Sequence, residues 1–167
     1  MKKLLFLVII LVLGAIVYSK SLLQVDTLND INNNWQQHAI EEVGLTFQAP
    51  KDVTVTWENP DESAVNLYAQ RGSMQEGNYY QLYGIFRMDS VATEEDLENV
   101  KEELNSETVK NIVIDGYKAV EGQVKGERNR FVAYILKDKN LFTLATSQPT
   151  KENKELTDKI LSTFDFK

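Results

Sequence analysis

The chain has 167 residues, with 25 acidic and 18 basic side chains, a formal net charge of −7, no cysteine and one histidine, His38. Without cysteine there are no disulfides, thiolate nucleophiles, iron–sulfur clusters, thiolate zinc sites or acylated lipoprotein anchor, and one histidine removes most His-based zinc and triad arrangements. The acidic balance repels phosphate backbones, so nucleic acid is not an expected partner.

The first segment in chain order is Leu4–Tyr18, fifteen residues without a charge, set between Met1-Lys2-Lys3 and Ser19-Lys20. It predicts that residues 1–20 deliver the chain to a membrane as one transmembrane or signal helix, with the remainder outside the cytoplasm. Two readings stay open. An uncleaved single-pass anchor is short of the usual ~20 apolar residues, but Lys2, Lys3 and Lys20 reach the two interfaces by snorkelling. A cleaved signal peptide has the right basic start and apolar length, and only a poor cleavage site at Val17-Tyr18-Ser19. The anchor keeps the chain in the cell membrane, with the membrane as a partner through Leu4–Tyr18; cleavage secretes it.

Residues 21–43 read as a juxtamembrane connector. Leu22, Val25, Leu28, Ile31 and Trp35 fall at helical spacing, whereas the Asn29–Asn34 run disfavours a stable helix. From Gly44 the period changes to alternation. Leu45–Ala49 and Val53–Trp57 are predicted strands, Asn59-Pro60-Asp61 is a turn signal, and Val65–Ala69 and the aromatic Tyr79–Met88 are further strands. Thr93-Glu94-Glu95-Asp96 opens a helix with a cap and acidic first turn, and Leu97, Val100 and Leu104 form its one apolar stripe. Val109–Ile114 and Tyr117–Val124 flank Asp115-Gly116 as a hairpin. Arg128–Leu136 and Leu141–Ser147 continue a meander. Pro149 and Thr150 precede a helix over Lys151–Ser162, and Thr163–Phe166 closes the domain 44–167. Eight strands and two amphipathic helices predict an α+β class, helix layered on antiparallel sheet.

Three segments carry a family resemblance: Val43–Val53 with its Gly44-Leu45-Thr46-Phe47-Gln48-Ala49-Pro50 core, Ile114-Asp115-Gly116-Tyr117-Lys118-Ala119, and Asn140–Leu144 followed by Ile160-Leu161-Ser162-Thr163-Phe164-Asp165-Phe166. In order and spacing they resemble the PsbP-like proteins over about Gly44–Phe166, with departures at Val53 and Ala49. The resemblance implies an α/β/α sandwich around a central antiparallel sheet. It also implies a mostly non-enzymatic group, including an extrinsic photosystem II subunit, a Ran-binding release factor and secretion chaperones. No functional residue is carried over, because no matched position belongs to a binding motif of those relatives.

Each candidate for chemistry has a plainer reading beside it. Glu94, Glu95, Asp96, Glu98, Glu102 and Glu103 suggest a calcium or manganese site; a solvated helix face is favoured, since calcium ligands converge from a loop. His38 has only Glu41 and Glu42 nearby in sequence as co-ligands. Ser63, Ser73 and Ser147 sit in no nucleophile turn, and Gly72 and Gly77 lack phosphate-loop spacing. Tyr80 and Phe86 are expected in the core with Leu82. Tyr79 and Tyr83 face the other side, under a helix or lining a groove, with helix packing the favoured reading. Arg128 and Arg130 share a face and pair with surface carboxylates or clamp an anion. No catalytic, cofactor or metal residue is assigned. The expected role is a membrane-tethered extracytoplasmic module that docks a protein partner without being an enzyme; the alternative is an extracytoplasmic domain for a small molecule or metal.

Overall fold

The computed structural model describes residues 34–126, 130–148 and 150–167. Leu4–Tyr18, the connector positions Leu22 to Ile31, Arg128 and Pro149 lie outside the described residues. Among the described residues no helix is long and apolar enough to cross a membrane.

In chain order the elements are β1 (Trp35–Ile40), β2 (Leu45–Pro50), β3 (Thr54–Asp61), β4 (Ala64–Arg71), β5 (Tyr80–Arg87), α1 (Glu94–Asn99), β6 (Lys110–Ile114), β7 (Tyr117–Gln123), β8 (Arg130–Lys137), β9 (Asn140–Ser147), α2 (Lys151–Leu161) and β10 (Asp165–Phe166). Seven strands form one sheet in the order β3-β4-β5-β9-β8-β7-β6, and β1-β2-β10 form a second. Neighbours in the large sheet are antiparallel throughout.

The α/β/α sandwich expected from the sequence is not what forms. The fold is β-rich, and the reason is one of dimensions. A helix is about 10 Å across with its side chains, roughly two strand spacings of about 4.8 Å. One helix per face cannot cover seven strands. On the inner face, α2 shares the cover with the three-stranded sheet. Tyr80 and Thr146 both meet Thr157 of α2 through their hydroxyls, at 3.2 and 2.7 Å. The small sheet contributes Phe166, whose ring packs 5.9 Å from Phe142 and 5.7 Å from Tyr117. Tyr80, Leu82 and Phe86 are buried on this face, as alternation along β5 required, together with Val65, Leu67, Leu144 and Ile135.

On the outer face the helical cover is smaller. The Thr93 hydroxyl accepts from the Asp96 amide and the Asp96 carboxylate accepts from the Thr93 amide, closing the predicted capping box. α1 runs only six residues before tightening into a 3-10 turn, Val100–Glu103. Leu97 and Leu104 pack there on Val120 with Val124, Tyr134 and Leu136. Gly122 makes room: a Cβ at that position would stand 3.1 Å from Leu104 Cδ1.

Three local expectations shift. Asn59-Pro60-Asp61 lies inside β3, where a bulge between Glu58 and Asp61 absorbs the proline. The chain turns two residues later at Glu62 and Ser63, where the Ser63 amide and hydroxyl donate to Asp61 Oδ1. Trp35, read as the last step of a helical connector, opens β1, because strand pairing overrides the three-to-four spacing. Thr163–Phe166 ends in β10, which pairs with β2 through Asp165–Thr46 and Phe166–Leu45.

One ion pair fixes α2 to the sheet. Lys154 donates to Glu121 Oε2 of β7 at 2.9 Å and to Asp158, and its ammonium lies 5.1 Å from the Phe131 ring centroid. Burial alone lowers the Lys154 pKa; its bonds with Asp158 and Glu121 outweigh that and hold it above the ordinary value. Glu121 is itself buried, and its other near cation, Lys110, is 3.9 Å away. The expected cost of Lys154→Met is therefore about 3 kcal/mol, because a buried carboxylate loses its main partner, while the Glu121→Met/Lys154→Met pair recovers most of it. Urea unfolding of the three proteins checks this; a Lys154→Met loss within about 0.5 kcal/mol, typical of a surface change, would count against it.

Candidate docking face

Where α1 stops, no helix among the described residues covers the outer face of β3, β4, β5 and β9. The register lays its side chains out in three rows of four. Thr54, Gln70, Gln81 and Ser147 form the first, Thr56, Tyr68, Tyr83 and Ala145 the second, and Glu58, Asn66, Ile85 and Thr143 the third. Glu58 is the one charged residue among these twelve, although 26% of the chain is charged. An ordinary solvated sheet face would carry more charge. Tyr68 and Tyr83 sit at the centre with ring centroids 5.1 Å apart.

Hydrogen bonds hold the aromatic pair upright on the strands. The Tyr68 hydroxyl donates to Glu58 Oε1 at 2.9 Å, and the Tyr83 hydroxyl donates to Asn66 Oδ1 at 3.4 Å. The bond to Glu58, more than burial, pushes the Tyr68 phenol above its ordinary value. Ser147 donates to Gln81 Oε1 at 3.2 Å. The result is a preorganised and nearly neutral surface with two amphipathic rings at its middle.

The residues singled out by sequence are dispersed by the fold. Tyr83 lies on this face, but its neighbour is Tyr68 of β4 and not a helix; the helical cluster on the same side does not include it. Tyr79 precedes β5, and its carbonyl accepts from Asn153 Nδ2 at 3.0 Å. It lines a separate polar cleft of about 370 Å³ with Arg71, Asp52, Asn78, Gln148 and Asn153. Gly72 is also there: a Cβ would meet the Asn78 carbonyl at 2.4 Å, so the glycine lets that loop close on itself. Arg130 stands opposite Ser147 at the rim of the docking face.

The acidic helix residues are engaged singly. Glu94 pairs with Lys118 and Glu98 with Lys101, each at 2.6 Å, and Asp96 belongs to the cap. Among the described residues no three carboxylates or imidazoles converge. Ser63 bonds Asp61 and the Ser73 hydroxyl accepts from the Gln75 amide. Tyr68, which no sequence motif singles out, is the partner that the register supplies. Alternation against the buried Leu67 and Ala69 turns it outward, but its position across from Tyr83 needs the register.

No protein-family model matches the chain, and no curated protein matches it significantly. The chemistry of the face therefore rests on the side chains it presents.

Within residues 21–43, His38 belongs to a strand. It lies in β1, its ring stacked on Phe47 at 5.4 Å, and its Nε2 is buried without a hydrogen-bond partner. Glu42 turns instead to β3, accepting from Asn59 Nδ2 at 3.1 Å. Burial pushes the imidazole below its ordinary 6.5. The unfolded chain thus takes up the proton first as pH falls. The contribution to stability is full above 6.5, declines as pH drops through it, and levels off below the folded value. Unfolding midpoints measured between about pH 7.5 and 5.5 should fall with pH in the native protein and flatten in His38→Phe, in a window above the carboxylate titrations. Equal slopes in both proteins would overturn this assignment.

Proposed function

We propose that this protein is a membrane-tethered, extracytoplasmic module that docks a protein partner through the Tyr68–Tyr83 face. The observation that carries the reading is the nearly uncharged grid of twelve side chains, mostly half-buried or exposed, that no described helix covers. Interface centres are depleted in charge and enriched in tyrosine, whose ring supplies contact area at low entropy cost. The basic start and apolar run of Met1–Tyr18 support the tether. The PsbP-like resemblance, to a largely non-enzymatic group, supports a binding role.

A second reading has its own observation. The polar cleft beside Tyr79, at about 370 Å³, is of a size that small ligands occupy. Under that reading a metabolite or metal raises the melting temperature, and Arg71→Ala abolishes the rise.

The two are separated by a photo-crosslinking amino acid placed in the full chain in its native membrane. At Ile85 or Thr143 it should give a discrete heavier species, and at the exposed Lys159 of α2 it should not. Tyr83→Lys should reduce the Ile85 product by about tenfold or more, as loss of a central aromatic does. Equal labelling at all three sites, or a product indifferent to Tyr83→Lys, would sink the docking assignment.

A further inference from the structure

The two outer strands of the large sheet, β3 and β6, are guarded very differently. β3 carries Glu58, Pro60, Asp61 and a bulge, devices that stop another strand from adding to an edge. β6 reads Lys110-Asn111-Ile112-Val113-Ile114, pairs with β7 without a bulge, and leaves Val113 69% exposed. Open space lies beside it. One cavity of about 400 Å³ is lined by Ile112, Ile114 and Leu161, and another of about 480 Å³ by Asn111, Val113 and Leu97.

The hairpin dictates which backbone groups of β6 are free. Ile114 and Tyr117 flank a two-residue turn whose Asp115 and Gly116 have φ of 47° and 79°. Such a turn is closed by a hydrogen-bonded pair, so Ile114, and by alternation Ile112 and Lys110, direct their N–H and C=O groups at β7. Asn111 and Val113 direct theirs away from the sheet. An added strand must meet those two residues.

With both partners inside Lys110–Ile114, a second copy of β6 meets them in a single register. Partners across an antiparallel pair share a face, so a two-fold pairing of identical strands is centred on one residue facing itself. Centred on Ile112, it sets Asn111 against Val113 of the second copy, twice, and satisfies the outward groups of both residues in both strands. Centred on Val113, it sets Asn111 against Asp115, whose positive φ takes it out of the extended region. Charge agrees with the first register. Lys110 begins the strand and Asp115 follows it, so the antiparallel arrangement brings Lys110 beside Asp115 of the second copy. The Lys110 side chain is 69% exposed, and Glu94 and Glu98 near this edge are already neutralised by Lys118 and Lys101.

We propose that β6 is a self-association edge: two copies of this chain pair antiparallel through Lys110–Ile114, centred on Ile112, and join their seven-stranded sheets. The proposal is independent of the docking face, which lies at the opposite end of the sheet.

The chain has no cysteine, so a single introduced thiol reports the register. In the full chain, solubilised in mild detergent and mildly oxidised, Ile112→Cys should form a disulfide-linked dimer, and Asn111→Cys, which faces Val113, should not. Sedimentation equilibrium should show a concentration-dependent dimer. Val113→Pro removes the outward N–H without touching the ladder to β7, and should weaken that dimer by about tenfold or more. Val113→Lys serves the same purpose if the proline variant fails to fold. A native chain that stays monomeric, a dimer indifferent to both Val113 variants, or cross-linking by Asn111→Cys as strong as by Ile112→Cys would each overturn the proposal. A foreign strand on this edge would bury Val113 too, and is told apart by the missing Ile112→Cys dimer.

Discussion

The width of the large sheet is the constraint from which the rest follows. Seven antiparallel strands present two broad faces, and the described helices amount to eleven and six residues. The inner face is completed by recruiting β1, β2 and β10 as a second layer, which is why residues 119 apart in sequence share a strand pair. On the outer face, among the described residues, the helical cover lies over β7 and β8. What is left over, on β3 to β5 and β9, has a composition suited to neither a core nor an ordinary wet surface: two tyrosines, an isoleucine and a row of amides and hydroxyls around them.

The polar groups within the inner layer follow the same demand. α2 approaches the sheet with Asn153, Lys154 and Thr157 as well as Leu156, Ile160 and Leu161. Each polar member arrives with partners: Asn153 Nδ2 with the carbonyls of Tyr79 and Gln148, Thr157 with two hydroxyls, and Lys154 with two carboxylates. Buried polar atoms left unpaired cost more than paired ones gain, so these contacts specify where along the sheet the helix sits. Apolar contact alone would let it slide.

Much of the local structure was legible in the residues. Alternation placed Tyr80, Leu82 and Phe86 inside, Thr93 and Asp96 marked a capped helix, and Asp115-Gly116 marked a hairpin. These signals are carried by a few adjacent side chains. What could not be read depended on distant pairing. Nothing between Trp35 and Ile40 announces a strand until β2 lies beside it, and two residues at the end of the domain look like a tail until they meet Leu45 and Thr46. The same limit explains the candidate site. The sequence singles out Tyr83 alone, and only the β4–β5 register brings Tyr68 beside it. The expected sandwich failed on arithmetic of coverage, which no residue pattern displays.

The pairing of β2 with β10 has a consequence for how the protein is made. β2 is synthesised early and must wait for Asp165 and Phe166, and Phe166 also supplies the amide that Asp115 accepts at 2.6 Å. During synthesis β2, with Leu45 and Phe47, has β1 on one side but stays without its other neighbour until Phe166 has emerged. The small sheet is thus completed only once its last strand is available, and a chain cut before Phe164 would leave Phe47 without the ring that packs on it and Leu45 without its partner Phe166.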